Sequence, residues 1–440
     1  MRLTVLGGGG FRVPLVYRAL LEDAGDEAGR ITELVLHDTD PGRLDTIAAV
    51  LAQQAAGRPH APAVRATTDL DDALRGTDFV FSAIRVGGLS GRAADERSAL
   101  AEGVLGQETV GAGGVLYGLR SVPAAVTIAE RVAAVAPDAW VINFTNPAGM
   151  VTEAMQRVLG ERVIGICDSP VGLCRRATRA LGADPERAEF DYVGLNHLGW
   201  LRGLRVDGRD RLPELLADTA ALDSFEEGKL FGADWLRTLG ALPNEYLHYY
   251  YFNREAVEAL RSSTATRGEF LREQQAAFYS SASADDPARA ARLWEDTRME
   301  REATYMAESR ESTGGWQRDT CDLDGGGYDR VALALMRAIA RDERTTLILN
   351  VRNAGTVAGL DDDAVIEVPC RVDASGAAPL PVGAVAPGQL GLMLTLKDVE
   401  RSVIAAAESG ERRHAVRALA LHPLVDSVRV AERILERRAG

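Results

Sequence analysis

The stretch that most restricts the fold is the N-terminal run Arg2-Leu-Thr-Val-Leu6, Gly7-Gly8-Gly9-Gly10, Phe11-Arg12-Val13-Pro14. Its mostly apolar opening predicts a buried strand. Leu15, Val16, Ala19, Leu20 and Leu21 then recur with helical spacing. A strand that passes through glycines directly into a helix is the start of a βαβ unit. Glycines at that turn let the backbone approach a pyrophosphate, whose charge then faces the helix N-terminus. The spacing is not the standard GxGxxG, because Arg12 stands where the last glycine is expected, so the turn needs a second cue. The next predicted strand, Glu33-Leu-Val-Leu-His37, supplies it by ending in Asp38. A carboxylate there suits hydrogen bonding to a ribose 2′-hydroxyl and favours NAD over NADP. Gly7, Gly8, Gly9, Gly10, Phe11 and Asp38 are therefore the candidate dinucleotide residues.

The alternation continues. A helix is predicted from Pro41 to Ala56, a strand over Val64–Asp69, a short helix over Leu70–Leu74 and a strand over Asp78–Ile84. That strand ends in Arg85-Val-Gly-Gly88. The charged segment Gly91–Arg97 reads by itself as the solvated start of a helix, and the glycine-rich segment Gly103–Gly114 as backbone wrapped closely around something. An amphipathic helix over Ala124–Val135 and a strand over Ala139–Phe144 come next, closing in Thr145-Asn146-Pro147. After a helix at Met150–Leu159, the apolar run Val163–Ile166 stops abruptly in Cys167-Asp168-Ser169-Pro170. Parallel strands gather their carboxyl ends on one side, where ligands sit. The glycine turn, Asp38, Arg85 with Arg92, Asn146, and Cys167 with Asp168 are thus expected in one pocket. Cys167 and His197, the latter in Asn196-His-Leu-Gly-Trp200, are a thiol and an imidazole, common ligands of transition metals. A lone cysteine at a strand end is more often a small buried hydrophobe. The metal reading gains weight from the polar strand ends that precede it.

Beyond about residue 175 the βα rhythm fades. Phe190–Leu201 reads as a strand or turn, Val206-Asp-Gly208 as a hairpin, and residues 210–310 as mainly helical. Tyr246, Tyr249 and Tyr250 share a helical face, a stripe that ordinarily means packing. Thr313–Gly315 and Gly325–Tyr328 are predicted loops before a helix at Val331–Arg341. Strands follow at Thr345–Val351 and Ala364–Pro369, then helices at Leu390–Ser409 and Ala415–Arg438, the last with a solvated Arg/Glu face. The expected fold class is α/β. Residues 1–170 would form a Rossmann-like parallel sheet, and residues 171–440 a larger α+β domain completing the active site and supplying an oligomer interface.

Composition excludes some partners. A net charge of −14 over 440 residues argues against nucleic acid or an anionic membrane, though not against a small anion held by a local arginine cluster. Four cysteines without framework spacing predict no disulfides and a reducing compartment. The N-terminus lacks a signal-peptide pattern, and no apolar run approaches the ~18 residues of a membrane span. The expectation is a cytoplasmic protein.

The ordered segments GGGGFRVP, IRVGG, GRAADER, GVLGQETVGAGG, INFTNPAG, ICDSP, GLNHLGW, PNEYLHYYY, LILNVRN and LHPLV carry a resemblance over almost the full chain. It resembles the NAD- and metal-dependent glycosidases of glycoside hydrolase family 4, most closely the 6-phospho-β-glucosidases. The NAD-dependent members of that family stand outside the usual two-carboxylate scheme. The resemblance implies hydrolysis of 6-phospho-β-glucosides by oxidation at carbon 3, tyrosine-assisted elimination across carbons 2 and 1, water addition and re-reduction. NAD and manganese (Mn2+), or another divalent metal, would be cofactors. Cys167 and His197 would be the metal ligands, and Tyr246 the base, with Tyr249 and Tyr250 close in register. Glu108 would assist the base, and Arg92, Asn146 and Arg267 would hold substrate. Asp168 departs from the β pattern, which usually has Asn there. It matches the 6-phospho-α-glucosidases, where this residue is the acid for the leaving oxygen, so an α-glucosidase remains the alternative. An unphosphorylated glycoside is a rival substrate. The other reaction class is an NAD-dependent dehydrogenase of sugars or hydroxy acids, which would need neither Cys167 nor a tyrosine base. The expected partners are a phosphorylated disaccharide or glycoside and further copies of the chain, as a homodimer or homotetramer.

Overall fold

The computed structural model describes residues 1–23, 28–318 and 327–439. Cys321, and residues 325 and 326 of the loop predicted at Gly325–Tyr328, lie outside the described residues. In chain order the first half contains β1 (Arg2–Leu6), α1 (Val13–Glu22), β2 (Glu33–His37), α2 (Pro41–Ala55), β3 (Ala63–Thr67), α3 (Leu70–Leu74) and β4 (Phe79–Ser82). It continues with α4 (Gly88–Ala101), α5 (Gly111–Val135), β5 (Trp140–Asn143), α6 (Ala148–Leu159), β6 (Val163–Gly165) and α7 (Ser169–Ala180). The six strands pair in parallel in the order β3-β2-β1-β4-β5-β6. This is the doubly wound order, and its reversal between β1 and β4 opens a crevice at the carboxyl ends.

Sequence dictates this locally. Helices on both faces bury both sides of the inner strands, which read as continuous apolar runs rather than as alternations, whereas the edge strand β3 is largely exposed. Phe79, Phe81, Ile142 and Ile164 enter one apolar cluster, while the intervening Val80, Val141 and Val163 enter the other. Asp40 and Asp69 cap α2 and α3 by accepting the N–H groups of Arg43 and Asp72.

The sheet does not stop at β6. The second half adds β7 (Ala188–Leu195), β8 (Leu198–Val206), β9 (Arg209–Asp210), β10 (Leu242–Pro243), β11 (Thr345–Arg352), β12 (Val365–Asp373) and β13 (Gly376–Pro379). The order continues β6-β11-β12-β7-β8-β10, now antiparallel. The seam is narrow: Asn350 pairs with Gly165 across β11 and β6. Gly165 has no room for a side chain, since a Cβ would reach 2.8 Å from that of Asn350. The turn between β7 and β8 is Asn196-His197, with His197 at φ 62°. Asp207-Gly208 turns β8 into β9 with φ 51° and 77°, as the Asp-Gly pair predicts.

Three expectations are corrected. Helix α5 begins at Gly111, not Ala124, and absorbs the glycines expected in a loop. A Cβ on Gly113 or Gly114 would overlap the carbonyls of Gln107 and Thr109, so these glycines let the helix close on its own approach segment. At 25 residues α5 is also long and apolar enough to cross a membrane by length and composition, yet it packs against α6 and the Pro387–Ser409 helix. The helix expected over Ala415–Arg438 is two, Arg412–Leu421 and Val428–Ala439, separated at His422-Pro423 because proline cannot supply the helical N–H. The Arg/Glu face there is not merely solvated: Arg433 and Arg437 pair with Glu102 at 2.5 and 2.7 Å, and Arg438 with Asp95 at 2.7 Å.

Candidate active site

A cavity of about 1080 Å³ lies over the carboxyl ends of the parallel strands. Gly7, Gly10, Phe11, Asp38, Arg92, Glu108, Asn146, Cys167, Asp168, His197, Tyr246 and Arg267 all line it. Strand ends far apart in the chain therefore meet as the topology requires. Gly8 and Gly9 stand behind the wall, where a Cβ would meet Leu36 Cα at 2.8 Å and Arg43 Cβ at 2.7 Å respectively. Tyr249 reaches the wall but is 1% exposed, and Tyr250 points elsewhere, its ring 6.1 Å from that of His422.

At the dinucleotide end, Gly7 sits at φ +84° with the Ala83 carbonyl 2.7 Å from where a Cβ would be. The Asp38 carboxylate accepts the Gly9 N–H at 3.0 Å and the Asp40 N–H at 3.2 Å, so it shapes the turn as well as facing the cavity. The turn is held from the second half of the chain by three aromatic donors. Tyr279 O–H donates to the Gly9 carbonyl at 2.7 Å, Trp294 Nε1–H to that of Phe11 at 2.7 Å, and Tyr328 O–H to that of Arg12 at 2.8 Å. Phe11 is itself a core residue, edge-on to Phe278 with centroids 5.3 Å apart.

The opposite end is ionic. Arg92, Asp95 and Glu96 on α4 are 7, 2 and 1% exposed, against the expectation of a solvated helix start, because every charge is paired. Glu108 pairs with Arg85 and accepts from Arg92 Nη1 at 2.7 Å. Burial pushes this carboxyl up, but the two guanidinium groups outweigh it and hold it at about 2. Glu96 accepts from Arg92 Nε and from the Gly268 N–H, both at 2.7 Å, tying α4 to the Arg267–Ser281 helix. Arg267 donates to Thr304 Oγ1 at 2.7 Å and to the Arg301 carbonyl at 2.8 Å. Among the described residues neither Arg267 nor Arg301 has a carboxylate within hydrogen-bonding distance; Glu302 stands 3.9 Å from Arg301. Burial and then Arg92 push Arg267 down to about 10, and burial and then Arg12 push Arg301 down to about 9.

Between these ends lie Cys167, His197 and Tyr246. Burial, with Glu367 and Asp168 nearby, raises the Cys167 thiol well above its usual range. Burial pushes His197 down to about 3, so the imidazole is neutral. Its Nδ1 lies 2.8 Å from Thr109 Oγ1, leaving Nε2 for the cavity. The Tyr246 ring stacks on it with centroids 3.7 Å apart and planes 11° from parallel. Burial and then Glu245 raise the Tyr246 phenol, while Tyr305 O–H donates to its oxygen at 3.0 Å. Asp168 is 3.9 Å from Arg12. Asn146 Oδ1 is buried without a hydrogen-bond partner among the described residues. A thiol, a neutral imidazole and an orphaned amide oxygen on one cavity fit a divalent cation. Among the described residues no third His, Cys, Asp or Glu joins them, so a cation would need further ligands of other kinds. The glycine cradle likewise fits a dinucleotide. Cys167, Cys174 and Cys370 are free thiols.

Sequence reasoning missed Glu245, Arg301 and Tyr305. Glu245 accepts from Ser169 Oγ at 2.7 Å, and burial pushes its carboxyl up. Only the YLHYYY context pointed near it; Arg301 and Tyr305 lie in a helical stretch with no local signal.

Comparison with known proteins agrees with this architecture. The family model described as "Family 4 glycosyl hydrolase" matches residues 2–183, and "Family 4 glycosyl hydrolase C-terminal domain" matches residues 192–425. The chain is 30% identical over 449 residues to a probable 6-phospho-beta-glucosidase of Bacillus subtilis, covering 99% of this chain and 95% of that one. It is 30% identical over 452 residues to 6-phospho-alpha-glucosidase 1 of Lacticaseibacillus paracasei, covering 98% and 95%. A solved structure of the 6-phospho-beta glucosidase from Thermotoga maritima, with manganese, NAD+ and glucose-6-phosphate, superposes with a TM-score of 0.83 at 27% identity, covering 99% and 97%. Matched in both halves and along nearly its whole length, the chain belongs to family 4 of the glycosyl hydrolases.

Proposed function

We propose that this protein hydrolyses 6-phospho-glucosides, with the β-anomer as its substrate, using NAD and a divalent cation such as Mn2+. The observation that carries the phosphate is the pair Arg267 and Arg301. Two largely buried guanidinium groups, pushed down first by burial and then by Arg92 and Arg12, stand at the cavity wall with no carboxylate in hydrogen-bonding distance, Glu302 being 3.9 Å from Arg301. A dianionic group on the ligand relieves that crowding, and an unphosphorylated sugar does not. Relatives named for phosphorylated substrates, and a neighbour solved with NAD+, manganese and glucose-6-phosphate, support the same reading.

In this reading Gly7, Gly10 and Asp38 hold the dinucleotide, and Cys167 and His197 hold the cation. When bound, the dinucleotide would supply a hydride acceptor and donor for carbon 3, and the cation would supply stabilisation of negative charge on the sugar oxygens. The chain's own residues orient and move protons. Arg92 and Asn146 fix the sugar, with Glu108 fixing Arg92. Tyr246 takes the proton from carbon 2, the Tyr305 O–H supporting its oxygen as charge develops. Of the tyrosines considered for the base, Tyr246 is favoured because its ring lies against His197. Asp168 borders the leaving group. The division of labour between residues 1–170 and 171–440 belongs to the same proposal, as do a cytoplasmic location and a dimer or tetramer.

A second reading, the α-glucosidase, rests on Asp168 itself, since a carboxyl can protonate a departing oxygen and the usual asparagine of the β pattern cannot. The GLNHLGW and YLHYYY contexts favour β. The deciding experiment uses p-nitrophenyl 6-phospho-β- and α-glucosides and their unphosphorylated forms, under reductant, with NAD+ or Mn2+ omitted in turn. Nitrophenol release from the phospho-β form only, needing both additions and building up no NADH, is the expected result. Steady NADH formation without nitrophenol would replace the glycosidase with a dehydrogenase.

A further inference from the structure

We propose that Thr109, oriented by Gln107, is a positioning residue that fixes the tautomer of His197. It holds the ring proton on Nδ1, so that the Nε2 lone pair is presented to the cavity. This rests on the reading of His197 as a cation ligand.

The polarity of consecutive hydrogen bonds assigns the ring proton. Gln107 Oε1 accepts the backbone N–H of Thr109 at 2.6 Å and that of Val110 at 2.8 Å. Two N–H donors converging on that atom identify it as the amide oxygen rather than the nitrogen. The same oxygen lies 3.3 Å from Thr109 Oγ1. Between two oxygens a hydrogen must come from one of them, and the amide oxygen has none, so the threonine hydroxyl donates. That hydroxyl has a single proton. With the hydroxyl proton directed to Gln107, the 2.8 Å contact to His197 Nδ1 is made with an oxygen lone pair and the imidazole is the donor. The opposite polarity, hydroxyl to Nδ1, puts the ring proton on Nε2, and a tautomer measurement separates the two. A neutral ring that donates through Nδ1 is unprotonated at Nε2, the form a metal ligand requires.

The surrounding fold holds this chain in place. Gly106 bridges to Gly111, closing the Gln107–Val110 segment into a tight loop, and α5 packs its glycines onto the Gln107 and Thr109 carbonyls. His197 cannot easily swing away, because it sits in the positive-φ turn between β7 and β8 and its face is covered by Tyr246. The glycine-rich segment thus serves the histidine on the far side of the crevice, a task its own sequence does not announce.

The test uses the full-length protein. Nitrogen-15 NMR of histidine-labelled, metal-free protein, with His197 assigned by H197N, reads which ring nitrogen carries the proton. Mn2+ binding is followed separately by the loss of the free-ion EPR signal. The expected result is Nδ1–H in the wild type. T109V, nearly isosteric, loses this tautomer and weakens Mn2+ binding by roughly 10- to 100-fold, the usual effect of removing such a partner. T109S, which keeps the hydroxyl, restores both, which a purely structural loss would not allow. An Nε2–H tautomer in the wild type, or unchanged Mn2+ affinity in folded T109V, would overturn the proposal. If wild type shows Nδ1–H but binds no Mn2+, the metal reading fails and the presentation of Nε2 to a cation falls with it. The tautomer assignment, read without metal, is decided independently.

Discussion

Single side chains separate what local pattern announces from what only the fold assembles. Asp38, Asn146 and Cys167 were legible because each ends a predicted strand, and parallel topology sends all such ends to one place. Glu245, Arg301 and Tyr305 were not, since an acid beside a tyrosine or an arginine in a charged helix looks the same whether it faces solvent or a cavity. His248 shows what such ambiguity hides. It is 1% exposed, stacked on Phe252, and neither ring nitrogen has a partner among the described residues. Burial pushes it down to about 4, and His422 down to about 3, against ~6.5 in an unfolded chain. The native values are depressed, so between those pH limits the unfolded chain holds more protons, and stability falls as pH falls below ~6.5. His248→Phe should therefore stabilise the protein by about 1 kcal/mol at pH 7 and by more at pH 5. Urea midpoints at the two pH values measure this. A variant weaker at pH 7, with an unchanged pH slope, would refute the account. At the candidate base, Tyr246→Phe should cut phospho-glucoside turnover by at least ~100-fold while leaving dinucleotide binding intact, measured by steady-state kinetics and by fluorescence titration.

Elements were read well where apolar periodicity was strong and poorly where glycine or proline decided the boundary. The start of α5 is hidden in the sequence because Gly111, Gly113 and Gly114 have the composition of a loop, and only the carbonyls packed against Gly113 and Gly114 show why a helix needs them. Conversely, Pro423 divides an otherwise continuous helical pattern into two helices. The charged face of α4 has the sequence of a solvated one because its partners come from elsewhere: Asp95 meets Arg120 and Arg438, and Glu96 meets Gly268. That contact makes a prediction about elements rather than atoms. A Cβ at Gly268 would lie 2.6 Å from Glu96 Oε2 and 3.0 Å from Ala93 Cα, so Gly268→Ala must push the Arg267–Ser281 helix off α4. The expected loss is ~1–3 kcal/mol of stability, with KM raised more than kcat falls because Arg267 moves relative to Arg92. Denaturation and steady-state kinetics together check it, and wild-type KM in a destabilised variant would show that the two arginines do not depend on this contact.

Across the whole molecule, the two halves share one sheet and one nucleotide turn. Tyr279, Trp294 and Tyr328 hold the carbonyls of Gly9, Phe11 and Arg12, so occupancy at the N-terminal end should be felt by the C-terminal end. Dinucleotide at 100 times its dissociation constant should add about 2.7 kcal/mol and move a single thermal transition. Trp294→Phe, which leaves the Phe11 carbonyl unpaired, should weaken dinucleotide binding several-fold. Two separable transitions in calorimetry, with only one shifted, would show that the halves respond independently. The parallel half of this sheet was readable from the first glycines onward. The antiparallel extension is readable only at local turns such as Asp207-Gly208, since the pairings of β6 with β11, β12 with β7 and β8 with β10 join segments too distant for any local pattern to connect. The seam at Gly165 and Asn350 also sets the order in which the molecule can be completed. By the time β6 leaves the ribosome its outer edge has open N–H and C=O groups, and its partner between Thr345 and Arg352 has yet to be translated. At about 5–20 residues per second that edge waits for roughly 10–40 s. A nascent chain of this kind carries its aggregation hazard at the middle of its synthesis, which is where a ribosome-associated chaperone would matter most to its yield.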